Sequence, residues 1–407
     1  KSDKVKIYLE KEGKVVNNFE TNKGKTIDSF KNKYIEGLID SYAIYQDILT
    51  PSNKTHHYIL TAWIDESYIL PIKNETTTSK QTNEETYKFK VKVVGVDTPI
   101  TIEEKSTVSS LDTSGANAPV LASNMIPVYY DETSDVWKKA DKNNNNSNYQ
   151  WYSYESSGDK KGMWANAVTV KDTNRQTYLN ATPGTTISMD DITTMWVWIP
   201  RFNAVTPSNY NGGTKANPGA IDVTFVKQNE IAIDAFTFGD KELSGFWYGK
   251  FEISHTTLAS NKTKNNLGCT NETCSNANGI IIKPNVTSLR YNSPSNFFFA
   301  SRSMEQPNNS FGFVSTEVDT HMSKNNEWGA VAYLTQSIYG RCTNSTTCTE
   351  VGINNNSGYL TGYGAPAGSN TSATNGAYNT TLGKDASTTK NIYGIYDMAG
   401  GSYEFVM

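Results

Sequence analysis

Alternating apolar and polar residues dominate the first part of the chain and predict half-buried β-strands. Residues 4–9 and 87–93 each place an apolar residue at every second position, which turns one face of the segment inward. A third apolar run surrounds Trp63, whereas residues 30–48 mix helical spacing with strand formers and predict a short helix or turn followed by a strand. The pattern predicts an antiparallel β-sandwich over residues 1–103, close to the immunoglobulin-like layer arrangement.

The composition changes after residue 103. Residues 104–124 are rich in turn-forming residues, which is typical of a linker. From residue 125 to 407 the chain combines dense Trp and Tyr with long stretches of Gly, Asn and Thr, which predicts a second domain with much ordered loop. Residues 125–194 are the aromatic-rich N-terminal part of this domain.

The aromatic-rich part has two interpretations. Its large rings either form a platform on which a ligand such as a sugar stacks, or fill the core of a loop-rich fold. Aromatic side chains bury large areas, which favours the core, but both interpretations stay open at this point. The residues concerned are Trp137, Trp151, Tyr152 and Trp164.

Four short motifs follow one another in the second half of the chain. The first is Met-Trp-Val-Trp-Ile-Pro at residues 195–200, which contains Trp196 and Trp198, and the second is Phe-Trp-Tyr-Gly-Lys-Phe-Glu-Ile-Ser at residues 246–254, which contains Trp247 and Glu252. The third is Asn-Glu-Trp-Gly-Ala-Val-Ala-Tyr-Leu at residues 326–334, which contains Trp328. The fourth is Gly-Ile-Tyr-Asp-Met-Ala-Gly-Gly-Ser-Tyr-Glu-Phe at residues 394–405, which contains Asp397 and Glu404. In this order the motifs resemble those of formylglycine-generating-enzyme (sulfatase-modifying factor) domains. The resemblance covers residues 195–407 and implies an irregular α+β fold of the C-type-lectin kind.

The chain departs from that family where catalysis is concerned. Gly401 stands where the family has Asn, and the family's redox-active cysteines would follow Met407, where the sequence stops. Met407 should lie inside a strand, so we expect the native polypeptide to continue, and we take Lys1 to follow a removed leader. No catalytic residue is assigned and no cofactor is expected, although family members bind Ca²⁺, for which no ligands can be mapped here; the metal content stays unknown.

The first domain resembles, more loosely, pilin-like and fibre-forming surface proteins of Gram-positive bacteria. Such proteins often polymerise by donating a strand to the sheet edge of a neighbour. The N-terminal strand with Val5, Ile7 and Leu9 is the donor candidate, and an ordinary edge strand is the alternative, because edge lysines discourage pairing.

Two features of the motifs call for specific local structure. Gly400 and Gly401 permit a sharp turn with positive φ. Glu327 and Glu404 stand beside aromatic residues, so each needs a partner if it is buried, and Arg290 and Arg302 are the candidates.

Cysteines, charge and hydropathy limit the classes of function. Two close pairs, Cys269 with Cys274 and Cys342 with Cys348, predict local disulfides and an oxidising compartment, because their spacing does not suit zinc and no His stands near them. The net charge of −4 and the absence of a Lys/Arg run argue against nucleic-acid binding. No apolar stretch approaches the roughly 20 residues of a membrane span.

Together these observations predict an extracellular bacterial surface protein that is not an enzyme. The first hypothesis is a subunit of a pilus-like filament or surface layer that binds copies of itself and displays a lectin-like domain. The alternative is a monomeric adhesin that binds a cell-surface glycan or protein. A copper-dependent formylglycine-generating oxidase is the third hypothesis, since a fold alone does not decide function.

Overall fold

The computed structural model of the protein describes residues 5–12, 14–16, 25–26, 33–35, 57–64, 102–104, 111–205, 207–258 and 277–407. Two compact units divide the chain, Lys1–Thr107 and Val108–Met407. Within the described residues the protein is β-rich, with several small antiparallel sheets and few helices. The predicted strand at residues 87–93 lies outside them, as do Cys269 and Cys274.

Two antiparallel sheets make up the described part of the first unit. Its strands are β1 (Val5–Lys11), β2 (Lys14–Val15), β3 (Lys25–Thr26), β4 (Lys33–Ile35), β5 (Tyr58–Ile64) and β6 (Ile102–Glu104). β1, β2, β3 and β5 form one sheet, and β4 pairs with β6 in the other. The alternation of residues 4–9 gives β1, whose Ile7 and Leu9 are buried with Val16.

β1 is hydrogen-bonded on both edges within this chain. β5 pairs with it over its full length on one edge, while β2 and β3 pair with its two ends on the other. It is therefore an interior strand rather than the edge strand considered as the alternative. Donation of Val5, Ile7 and Leu9 to a neighbouring molecule would require β1 to leave its own sheet.

The second unit is built around one antiparallel sheet with shorter hairpins and helices beside it. Its strands are β7 (Ile126–Asp131), β8 (Val136–Lys139), β9 (Asn166–Val170), β10 (Ile192–Pro200), β11 (Phe202–Ala204), β12 (Val223–Phe225), β13 (Thr237–Phe238), β14 (Lys241–Glu242), β15 (Gly245–Gly249), β16 (Ser254–His255), β17 (Ile280–Ile281), β18 (Cys342–Asn344) and β19 (Thr347–Cys348). Its α-helices are α1 (Asp172–Asn180), α2 (Pro294–Ser303), α3 (Asn325–Thr335) and α4 (Thr381–Asp385). Five strands form the main sheet in the order β15-β10-β9-β7-β8, and the others pair as β11-β12, β13-β14, β16-β17 and β18-β19.

The strands β9 and β10 of the main sheet are buried on both faces. All five residues of β9 are buried, and most of β10 is buried as well. The motif at residues 195–200 forms the second half of β10, where Trp198 pairs with Trp247 of β15. Because both faces meet other parts of the unit, these strands are apolar runs rather than alternating ones.

The aromatic-rich part belongs to the core. The rings of Trp137, Trp151, Tyr152 and Trp164 are all buried, and Trp137 packs edge-on against Tyr130 with 5.2 Å between ring centroids. Their faces contact protein, so none of the four is available as a platform for a ligand. The core interpretation of these residues is the correct one.

Part of the predicted linker packs against the second unit. Trp198 donates its Nε1–H to the carbonyl of Asn117 at 3.1 Å, and Trp247 donates to that of Val120 at 2.6 Å. Asp112 is buried and accepts the N–H of Tyr154. Residues 111–124 are thus an ordered edge of this unit, and the boundary between the units falls at Thr107/Val108.

Helix α3 buries one stripe of the motif at residues 326–334. Glu327, Ala330, Val331 and Leu334 recur at helical spacing and are all buried. Glu327 also accepts the backbone N–H of Lys324 at 2.8 Å, which satisfies an orphan donor at the helix start. Residues 401–407 form no strand, contrary to the expectation for Met407, which instead exchanges backbone hydrogen bonds with Ser323 and Asn325.

Candidate ligand-binding site

Two carboxyl groups from different motifs hold three loops together. Glu252 follows β15 and accepts the hydroxyl of Ser288 and, at 2.7 Å, the backbone N–H of Ser402. Asp397 is buried and accepts the N–H of Gly362 at 2.9 Å and the side-chain amide of Asn354 at 2.8 Å. These contacts join the second and fourth motifs to the loops that contain Ser288, Asn354 and Gly362, which lie outside both motifs.

Gly400 and Gly401 let the last loop approach these acids. Both adopt positive φ, as predicted, with values of 87° and 70°. A Cβ at Gly400 would overlap the carbonyl of Asn354, and one at Gly401 would overlap the Glu252 carboxylate. This close approach is the physical reason for glycine at positions 400 and 401.

The two carboxyls have shifted acidities. Burial raises the pKa of Asp397 to about 6, while the side-chain amide of Asn354 and the N–H groups of Gly362 and Glu252 restrain the rise. Burial also raises the pKa of Glu252 well above its usual value, and the neighbouring Asp397 charge raises it further.

A buried lysine fixes the start of the fourth motif. Lys250 is 0% exposed, and its Nζ donates to the carbonyls of Ile392 and Gly394, both at 2.7 Å. The ammonium also lies 5.3 Å from the ring centroids of Trp137 and Tyr396, within cation–π range. Burial lowers its pKa well below the usual value.

The acids and their partners position a half-buried arginine and two exposed tyrosines. Ser288, bound to Glu252, stands two residues before Arg290, and its N–H donates to the carbonyl of Tyr359 at 2.9 Å. The guanidinium carbon of Arg290 lies 3.4 Å from the ring centroid of Tyr359 and 5.6 Å from that of Tyr291. We call Arg290, Tyr291 and Tyr359 the Arg–Tyr surface.

Both tyrosines of the Arg–Tyr surface are exposed and strained. Tyr291 is 69% and Tyr359 37% exposed, and their φ angles are 56° and 52°. Bulky residues rarely adopt this left-handed region, which costs of order 1–3 kcal/mol and is concentrated at ligand sites. Asn356 maintains the turn at Tyr359, because its side-chain oxygen accepts the N–H of Gly358 at 2.9 Å and that of Leu360 at 3.3 Å.

The tryptophans and acids of the four motifs otherwise have internal partners. Trp196 donates to the hydroxyl of Thr194 at 2.7 Å, and the rings of Trp198 and Trp247 lie 5.4 Å apart. Trp328 donates to Glu404 at 2.8 Å, which supplies the partner that Glu404 needs. These contacts hold the scaffold together and leave the Arg–Tyr surface as the exposed part of the site.

Glu327 has other partners than the predicted arginines. Its carboxylate contacts His321 Nε2 at 3.1 Å and Lys324 Nζ at 3.3 Å. Arg302 instead pairs with Asp319 at 2.6 Å, which also contacts His321 Nδ1 at 2.9 Å. The expected pairing of these glutamates with Arg290 or Arg302 is therefore wrong.

One of the two predicted disulfides is present in the described residues. Cys342 is bonded to Cys348, as predicted, and the bond ties β18 to β19. Cys269 and Cys274 fall between the described ranges 207–258 and 277–407. The structure therefore does not confirm the disulfide expected between Cys269 and Cys274, which stays a prediction.

Metals and membrane segments complete the survey of the site. Within the part of the chain that the structure describes, no three or more His, Cys, Asp or Glu side chains are grouped to hold a metal ion. Nor does any helix in this part have the length and apolar character needed to cross a membrane.

The chain matches no protein-family model, no curated protein and no solved structure.

The sequence alone does not predict the Arg–Tyr surface. It suggests Arg290 only as an ion-pair partner, and it places the candidate exposed rings among the dense aromatics of residues 125–194. The signal was the local setting: Tyr291 precedes Asn-Ser, and Tyr359 follows Asn-Ser-Gly. An isolated ring among turn-forming residues has no apolar neighbours to bury it, which favours exposure.

Proposed function

We propose that the second unit is an extracellular binding module that takes a saccharide at the Arg–Tyr surface. One observation carries this: Arg290 stacks on Tyr359 beside Tyr291, and both exposed tyrosines are held in a strained backbone conformation. Such strain persists only where the surrounding structure maintains it. Here the Glu252–Ser288 contact and the Asn356 turn provide that support.

A saccharide fits this surface better than a protein partner. Tyrosine rings offer rigid, amphipathic contact area at low entropic cost, and the surrounding loops are rich in amide and hydroxyl groups that bind sugar hydroxyls. A stable protein interface buries about 800 Å² on each partner, far more than two tyrosine rings and one guanidinium offer. The site is therefore suited to a small polar ligand.

The fold and location that we propose rest on the motifs and the disulfide. The four ordered motifs support a formylglycine-generating-enzyme or C-type-lectin-like second unit, and the antiparallel sheets support an immunoglobulin-like or pilin-like first unit. The Cys342–Cys348 disulfide supports an oxidising, extracellular location on a bacterial surface.

The binding module takes precedence over the filament subunit that we first expected. That hypothesis relied on β1 as a donor strand, and β1 is paired on both edges. No other described feature favours polymerisation over binding, or favours the oxidase hypothesis. The adhesin alternative is therefore the function that we propose.

A glycan array followed by calorimetric titration tests the proposal. Tyr291→Asn and Tyr359→Asn remove the rings and retain a residue type that tolerates positive φ. Tyr210→Asn is the matched control, because Tyr210 is also 52% exposed with a φ of 55° but lies on another loop. We expect about tenfold or greater weakening for the first two variants, from the loss of one ring contact, and none for the control. Unchanged saccharide binding in both site variants, or an array without any bound saccharide, would refute the proposed function.

A further inference from the structure

We infer that the saccharide bound at the Arg–Tyr surface is acidic and presents a carboxylate to Arg290. This inference rests on the proposed function and adds the chemical class of the ligand. It starts from the state of the Arg290 side chain, which differs from that of the other arginines of the chain.

Arg290 is the arginine whose guanidinium has no oxygen partner among the described residues. Each of the other four binds at least one carbonyl or carboxylate oxygen: Arg175, Arg201, Arg302 and Arg341. The Nε–H of Arg290 is shielded from solvent and has no hydrogen-bond acceptor. The Nε–H groups of Arg175 and Arg201 lack an acceptor as well, so Arg290 is distinguished by having no oxygen partner at any of its guanidinium nitrogens among the described residues.

The stacked guanidinium of Arg290 favours a planar hydrogen-bond acceptor. With its carbon 3.4 Å from the ring centroid, the guanidinium lies against one face of Tyr359. A guanidinium that stacks on an aromatic face keeps its N–H donors at the edge of its own plane. A planar carboxylate accepts two parallel hydrogen bonds from such an edge, which is the arrangement that arginine favours over lysine.

The acids near the site do not satisfy Arg290 themselves. Glu252 is occupied by Ser288 and Ser402, and Asp397 by Asn354 and Gly362. Among the described residues Arg290 therefore has no carboxylate partner. An anionic substituent from the ligand completes the pairing, while Tyr291, 69% exposed, remains available to a sugar ring.

The test compares acidic saccharides with their neutral counterparts in calorimetric titrations. The probes are sialyllactose against lactose, an oligogalacturonide against its carboxyl-reduced form, and a sulfated neutral oligosaccharide. We expect at least one carboxylate probe to bind about tenfold or more tightly than its neutral counterpart, since hydrogen bonds to charged groups are the stronger ones. The sulfated probe should bind less tightly than that carboxylate, because a sulfate ester spreads one charge over three oxygens and each oxygen is a weaker hydrogen-bond acceptor.

Three variants attribute the preference to one side chain. Arg290→Gln should bring the ratio of acidic to neutral affinity to about one, and Arg290→Lys should retain part of it, because a point charge lacks the planar fork. Lys160→Gln, at an exposed position elsewhere, removes the same charge and should leave the ratio unchanged. Circular dichroism establishes that each variant is folded.

The outcomes separate this inference from the proposed function. Equal binding of acidic and neutral probes, or a preference that survives in Arg290→Gln, overturns the acidic ligand and leaves saccharide binding intact. Tighter binding of the sulfated probe overturns the assignment to a carboxylate. If none of the probes binds and the glycan array is empty as well, the proposed function fails together with the inference.

Discussion

Replacing Gly401 by alanine perturbs the contact between the last loop and Glu252. Gly401 has a φ of +70°, and an alanine in the left-handed region costs about 1–2 kcal/mol. The new Cβ would overlap the Glu252 carboxylate, which has room to move only by giving up the Ser402 N–H and the Ser288 hydroxyl. Two hydrogen bonds at about 1 kcal/mol each bring the expected loss of unfolding free energy to about 3–4 kcal/mol.

Gly368→Ala is the matched control for this substitution. Gly368 has a φ of +69° and nothing within 4 Å of its added Cβ, so it should show the conformational cost alone, about 1–2 kcal/mol. Urea unfolding followed by tryptophan fluorescence measures both, since every tryptophan except Trp63 belongs to the second unit. If the two variants differ by less than about 0.5 kcal/mol, the Glu252 contacts do not stabilise the loop and the reasoning is refuted.

Three further predictions follow from the buried groups. The raised pKa of Glu252 and Asp397 means that the folded protein holds protons that the unfolded chain has released, so the second unit should lose stability as the pH rises from about 4 through about 6, by about 1.4 kcal/mol per pH unit for each retained proton. Glu252→Gln should flatten this dependence in urea titrations, and an unchanged slope would contradict the assignment. Burial lowers the pKa of His321, but the contacts with Glu327 and Asp319 outweigh burial, so the NMR titration midpoint of His321 should lie above 6.5 and should fall in Glu327→Gln. The stability that His321 contributes should be lost as the pH rises through this midpoint. A midpoint below 6.5 would exclude the ion pair. Cys348→Ser opens a short loop and should lower the free energy of unfolding by about 2 kcal/mol, whereas an unchanged urea midpoint would show that the disulfide does not stabilise the fold.

Local pattern predicted a strand even though its partner is distant in the sequence. The alternation of residues 4–9 became β1, which pairs with β5, while the motifs at residues 195–200 and 326–334 lie in β10 and α3. In each case one face or the whole segment is buried, and burial leaves a period that the sequence displays. The Gly400–Gly401 turn was predictable because only glycine adopts such φ angles freely.

The site depends on contacts that sequence spacing does not encode. Arg290 stacks on a ring from a loop that begins after Asn354, and Glu252 bonds to Ser402 across 150 positions. A glutamate partner was expected for Arg290 because a buried charge needs a partner. Sequence spacing does not show that His321 and Lys324 contact Glu327 instead.

The Lys250 anchor has a consequence for how the second unit is made. One core cluster joins Ile126 and Trp137, near the start of the unit, to Ile392 and Tyr396, near residue 400. Lys250 cannot lose its water without the carbonyls of residues 392 and 394, because burying an ammonium without acceptors is strongly unfavourable. The core therefore closes only after these residues have left the ribosome, and until then the unit remains open with its aromatic surface exposed.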